Sequence, residues 1–203
     1  MKGTMMQSPL TLVPLFERAG KLFSNVEIAS RRPDNSTHRY TYGDMHRRAR
    51  ALAAILQDSG MRPGDRVATL MWNHYAHLEA YCAIPVVGGV LHTLNLRLHP
   101  DELAYIANDA EDRFLIVDDV LLPLFEKFKA RVNFERVIVV PFSGQPVPPG
   151  CEDYELLLQQ STCNPKYACL DENDAAGMCY TSGTTGKPKG VVYSHRAIAL
   201  HSY

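Results

Sequence analysis

Between Arg66 and Val140 short apolar runs alternate with helical patterns, and this alternation limits the chain to few folds. The runs are Arg66–Met71, Val90–Leu94, Phe114–Val117 and Arg136–Val140. Between them lie a helical segment from His74 to Val87, one opened by Pro100, and one expected from Leu121 to Ala130. The Pro100 segment carries an apolar stripe of Leu103, Ile106, Ala107 and Ala110, with Asp101 and Glu102 favourable in its first turn. Strands that read as unbroken apolar runs are buried on both faces, which is the habit of parallel sheets sandwiched by helices. The expected class is therefore α/β, built from βαβ units.

With 203 residues, length alone allows one large domain or two small ones. A short helix is expected from about Val13 to Lys21, as an arm on the body or on a partner subunit. Val26–Ile28 and Arg39–Thr41 read as a strand pair around the polar turn Arg31–Thr37. Thr41 stands three residues before Asp44, a capping pattern, and Met45, Ala49, Leu52, Ala53 and Leu56 follow at helical spacing. Gly60 occupies the place of a left-handed C′ residue. Residues 141–150 form an internal Pro/Gly-rich loop, Tyr154–Gln160 a short helix, and Asn164–Asp174 an irregular polar stretch.

The chemistry concentrates in Tyr180-Thr181-Ser182-Gly183-Thr184-Thr185-Gly186-Lys187-Pro188-Lys189-Gly190. Ala175–Tyr180 before it reads as a buried strand and Val191–Tyr193 after it as a second, so the stretch is a loop between strands. Glycine permits tight bends that expose backbone N–H groups, and successive N–H groups make an anion-binding concavity. Hydroxyls add donors and lysines add charge suited to phosphate. The Walker A pattern fails: Pro188 stands where Ser/Thr is required after Gly186-Lys187, and Thr181 where the first glycine is required. The loop also leads to a strand, so no helix N-terminus faces the phosphates.

Other features bound the class. The formal net charge of −1 argues against a nucleic-acid partner. Arg31-Arg32 and Arg47-Arg48 with Arg50 read as solvated faces. Five cysteines without a CxxC suggest neither a disulfide framework nor a zinc site and suit a reducing, cytoplasmic setting; Cys82 and Cys179 read as small core residues. His74 and His77 lack further metal ligands and read as surface or polar-contact residues. The most apolar span, Ala80–Leu91, is too short for a membrane crossing and holds Pro85, Gly88 and Gly89; no secretory signal is expected.

The loop from Tyr180 to Gly190, followed by Val191-Val192-Tyr193-Ser194-His195-Arg196, resembles the signature of the adenylate-forming superfamily. Thr41-Tyr42-Gly43-Asp44, Gly60–Ala68, His77–Tyr81, Val90–Asn95, Arg97–Glu102 and Ala104-Tyr105-Ile106 look like its medium- to long-chain fatty acyl-CoA synthetase branch. The resemblance implies the N-terminal part of that family's large domain, a mainly parallel sheet flanked by helices, with residues 1–203 an incomplete AMP-binding domain. It implies ATP, Mg2+ and coenzyme A, a fatty acid or related carboxylate as substrate, and a homodimer through the N-terminal region. It implies a cytoplasmic protein, peripheral at a membrane at most. Thr181, Ser182, Gly183, Thr184, Thr185, Gly186 and Lys189 would hold the β- and γ-phosphates, with Thr181 also meeting magnesium. Lys187 is a weaker candidate. His195 either lines the site or makes a structural hydrogen bond at a helix start. No catalytic residue is assigned.

Two departures stand out. Asn95-Leu96-Arg97 replaces the expected Asn-Pro-Arg, which would loosen one turn. The Tyr-Gly-x-Thr-Glu motif, the ribose-binding aspartate, the hinge and the C-terminal lysine of the family have no counterpart, so a portion of a longer enzyme is expected. An adenylate-former for an aryl, thioether or amino acid, and a non-catalytic nucleotide-binding module, remain the alternatives.

Overall fold

A computed structural model describes residues 1, 3, 4, 7–162, 164–181 and 186–203. Seven strands form one sheet: β3 (Arg66–Leu70), β4 (Val90–Thr93), β5 (Asp112–Asp118), β6 (Arg136–Val140), β7 (Glu152–Asp153), β8 (Ala175–Thr181) and β9 (Lys189–Ser194). Their spatial order is β7-β6-β5-β3-β4-β8-β9. Every pairing is parallel except β8 with β9, which is antiparallel. A separate antiparallel hairpin joins β1 (Glu27–Arg31) to β2 (Thr37–Thr41).

The central strands bury both faces, as their composition requires. Along β5, Phe114 and Ile116 enter one core while Leu115 and Val117 enter the other. β6 divides likewise, with Ile138 and Val140 on the first side and Val139 on the second. The first core is covered by α1 (Leu12–Leu22), α2 (Tyr42–Asp58), α3 (Tyr75–Val86) and α6 (Tyr154–Gln160). The second is covered by α4 (Pro100–Asp109) and the short α5 (Leu122–Phe125). Full burial of each large apolar side chain stabilises by about 1.5–3 kcal/mol.

Local signals act as their chemistry demands. Thr41 and Asp44 form a reciprocal capping box at α2, and Gly60 after it takes φ +82°. α4 has its own box, His99 with Glu102, and Pro100 at the first position. In the Asn95-Leu96-Arg97 turn, the Arg97 N–H donates to Asn95 Oδ1 at 3.0 Å and Leu96 packs on the second core, so the turn is held without proline.

Several expectations are corrected. The helix expected over Leu121–Ala130 is broken into a 3-10 turn at Asp119–Leu121, α5, and a second 3-10 turn at Lys129–Arg131. Phe125 and Phe128 both enter the second core and pack edge to face, which a short, kinked path allows. His74 and His77 are buried and make polar contacts, so of their two expected placements only the surface one fails. His74 Nδ1 accepts from the Ala76 N–H, so its Nε2–H donates to Asp118 Oδ1 at 2.9 Å. Arg48 lies in no solvated face. It bridges the enclosed Glu79 and Glu155, while Arg47 beside it stays exposed. Cys82 and Cys179 are only partly buried, on an apolar groove described below.

Candidate functional site

β8 and β9 carry the two limbs of the signature loop. Tyr180 pairs with Gly190 in register, and Thr181 with Lys189, so a hydroxyl and an ammonium stand opposite each other at the loop end of the hairpin. Thr181, Gly186, Lys187 and Lys189 are all exposed. Ser182, Gly183, Thr184 and Thr185 lie outside the described residues. β8 is half-buried rather than fully buried, and β9 is the edge strand, with Val191, Val192 and Tyr193 exposed.

The sheet topology explains where the loop sits. β8 adds parallel to β4 through Leu91 and His92, and the chain then turns back as β9. Thr181 therefore stands at the carboxyl end of a parallel strand, where open α/β sheets place their ligands.

Tyr180 is fixed on three sides. Its hydroxyl donates to Asp109 Oδ2 at 2.7 Å. Its ring lies 5.3 Å from the His92 ring, centroid to centroid. A Cβ on Gly190 would meet that ring at 3.2 Å, so glycine lets the phenol lie across the neighbouring strand. Burial, then the Asp109 carboxylate, push the Tyr180 phenol pKa upward and keep it a donor. His92 is itself enclosed, with Nδ1 within 2.8 Å of Asp112 Oδ2. Burial pushes the Asp112 carboxyl upward against the pull of His92.

Lys187 extends over the Tyr105 ring, 4.8 Å from its centroid. His195 is the first residue of α7 (His195–His201), fully buried, and its Nδ1 accepts from the Leu12 N–H at 3.3 Å. Of its two expected roles the structure shows the structural one, tying α7 to α1. Glu172 reinforces the tie by accepting from the Leu10 N–H at 2.8 Å and from Arg196. The arm expected at the N-terminus thus packs on the body of its own chain.

An apolar groove of ≈ 640 Å³ opens between α1, α3 and the β8–β9 hairpin, with Leu78, Tyr81, Cys82, Met178, Cys179 and Tyr193 among its walls. From α3 the groove takes Leu78, Tyr81 and Cys82. The helix buries Ala76, Ala80, Ala83 and Ile84 instead. Among the described residues no cluster of three or more metal-ligating side chains occurs. Neither is any described helix long and apolar enough to cross a membrane.

This mostly parallel sheet flanked by helices, ending in one antiparallel hairpin, is a fold shared with adenylate-forming enzymes. The chain belongs to the AMP-binding enzyme family, matched over residues 16–202. It is 47% identical to a long-chain-fatty-acid–CoA ligase of Thermus thermophilus over 98% of its own length and 36% of that protein's. It is 39% identical to a 3-methylmercaptopropionyl-CoA ligase of Ruegeria lacuscaerulensis, covering 100% of this chain and 38% of the relative. Among solved structures, an anthranilate CoA ligase in complex with anthranoyl-AMP superposes with a TM-score of 0.82 at 25% identity, covering 97% of this chain and 37% of the other. The chain thus spans little more than a third of the length of these relatives.

The hairpin's two strands were legible from composition. The Tyr180–Asp109–Tyr105 contacts and the His92–Asp112 pair were not. The only sequence hint was an acidic residue, Asp109, ending a helix where the dipole disfavours it.

Proposed function

We propose that this chain is the N-terminal, phosphate-gripping portion of an ATP-dependent fatty acyl-CoA ligase. The ligase joins a carboxylate to AMP with release of pyrophosphate, then transfers the acyl group to coenzyme A. Residues 1–203 are read as part of one AMP-binding domain, with 141–150 an internal loop. The single observation behind this reading is the hairpin, in which β8 and β9 present Thr181 and Lys189 in register at the carboxyl end of the sheet. Such chemistry at phosphorus depends mostly on positioning and charge stabilisation.

Thr181, Ser182, Gly183, Thr184, Thr185 and Gly186 are proposed to supply hydroxyl and backbone donors to the β- and γ-phosphates, and Lys189 the charge. The exposed Thr181 hydroxyl is a hard oxygen donor and fits Mg2+ as one member of a shell completed by phosphates and water. Bound there, the metal would neutralise phosphate charge. No catalytic residue is assigned within the chain.

A fatty acid is favoured as substrate by the 47% identity to a long-chain ligase. A thioether acid is the second reading, favoured by the 39% identity to the 3-methylmercaptopropionyl-CoA ligase. Cytoplasmic placement follows the cysteine usage. A homodimer contact through the N-terminal region is supported by the exposed Leu22 and Phe23 at the end of α1.

The test is carboxylate-dependent pyrophosphate release by a polypeptide of the relatives' length, assayed with medium- and long-chain fatty acids, 3-methylthiopropionate and an aryl acid. Release with fatty acids supports the first reading, and preference for the thioether acid supports the second. No release with any carboxylate sinks both. The 203-residue chain alone is expected to give no sustained turnover.

A further inference from the structure

Asp109 is the last residue of α4, where a negative charge opposes the helix dipole. Its place is explained by what it holds. One carboxylate oxygen, Oδ2, accepts from the Tyr180 hydroxyl at 2.7 Å, on the limb entering the loop. The other, Oδ1, accepts from Tyr105 one helical turn back at 3.2 Å. The ring of Tyr105 in turn seats the Lys187 ammonium at 4.8 Å, on the limb leaving the loop. One helix end therefore grips both limbs, through a charge-assisted hydrogen bond on one side and a cation–π contact on the other.

We infer that Asp109 and Tyr105 are positioning residues that anchor the two limbs of the loop to α4, and that Lys187 serves this anchor rather than a phosphate. The division of labour follows from the strands. Lys189 is paired opposite Thr181 and stays exposed at the hairpin's loop end, whereas Lys187 is directed onto a helix. Gly190 completes the arrangement, because the Tyr180 ring reaches Asp109 by crossing the strand over it. An anchored loop meets its ligand with less conformational entropy left to lose. That consequence rests on the phosphate-gripping reading; the anchoring itself does not.

Hydrogen–deuterium exchange on the 203-residue chain without nucleotide reads the hairpin amides of Tyr180, Thr181, Lys187 and Lys189. Asp109→Ala should raise their exchange about fivefold to tenfold, while Asp109→Asn, which keeps an acceptor oxygen, should stay within about twofold of the parent. Tyr105→Leu and Lys187→Gln should accelerate Lys187 and Lys189 more than Tyr180. Thermal unfolding of Asp109→Ala should fall by no more than about 2–4 °C, because relief of the unfavourable helix-end charge offsets part of the lost hydrogen bonding. Unchanged exchange in Asp109→Ala overturns the inference, as does acceleration spread evenly over the whole chain. A second arm adds magnesium pyrophosphate to the parent. Protection of the loop without an Asp109 effect would leave the grip standing and the anchor refuted. An Asp109 effect without protection would do the reverse.

Discussion

Arg48 Nε donates to Glu79 Oε1 at 2.7 Å, and the Glu79 side chain is wholly enclosed. The same guanidinium forks onto both oxygens of Glu155 at 2.8 Å, and the Tyr154 hydroxyl donates to the other Glu79 oxygen at 2.6 Å. α2, α3 and α6 are thereby joined through one arginine. Burial pushes the Glu79 carboxyl upward, with Arg48 and Tyr154 opposing it.

Removing one partner of such a pair strands a buried charge. Arg48→Leu should cost about 3–5 kcal/mol of stability by urea denaturation. The exposed neighbour Arg47, changed to Ala, should stay within about 0.5 kcal/mol.

A side chain at position 190 is expected to be destabilising in a particular way. Gly190→Ala brings a methyl to about 3.2 Å from the Tyr180 ring, which its bond to Asp109 keeps from moving aside. The expected cost is about 1–3 kcal/mol. Tyr180→Leu in the same chain should recover part of it, so the two changes should be non-additive in a double-mutant cycle.

Lys189→Ala tests the proposed phosphate role in a polypeptide of the relatives' length. Loss of one charge-assisted contact should slow adenylation about 10- to 100-fold and leave thioester formation from pre-made acyl-adenylate little changed. Lys187→Ala should cost much less. Equal losses in both half-reactions would count against Lys189 as a pyrophosphate ligand.

Stability should fall on acidification before most carboxylates titrate. Burial, reinforced by neighbouring His74, holds the His77 imidazole down to about 4 against its ordinary 6.5. Its Nδ1–H donates to the Trp72 carbonyl at 3.2 Å, and its Nε2 accepts from the Thr69 hydroxyl at 3.1 Å, a fully used neutral ring. The unfolded chain binds the proton first, so stability is full above pH 6.5 and is lost as pH falls toward 4. His77→Gln should flatten that limb of a pH series of melting curves.

What the sequence determined by itself was whatever depends on neighbours along the chain. The capping pair Thr41 and Asp44, the left-handed Gly60, the apolar period of α2 and the doubly buried β5 are all encoded within a few residues. So was the loop's composition, since the hydroxyls, glycines and lysines that the proposed phosphate grip needs all lie between Tyr180 and Gly190. The tertiary structure decided what those residues meet. Arg48 looks like surface in a run of arginines, and only packing of α3 and α6 against α2 turns it into a buried bridge. His74 and His77 look polar and exposed until Asp118 and Thr69 arrive from neighbouring strands. Asp109 and Tyr180 are 71 positions apart. Side-chain partners at that separation carry no periodic signal, because they are chosen by the sheet order and not by the local turn of the chain. Parallel addition of β8 beside β4 is what sets Tyr180 against α4.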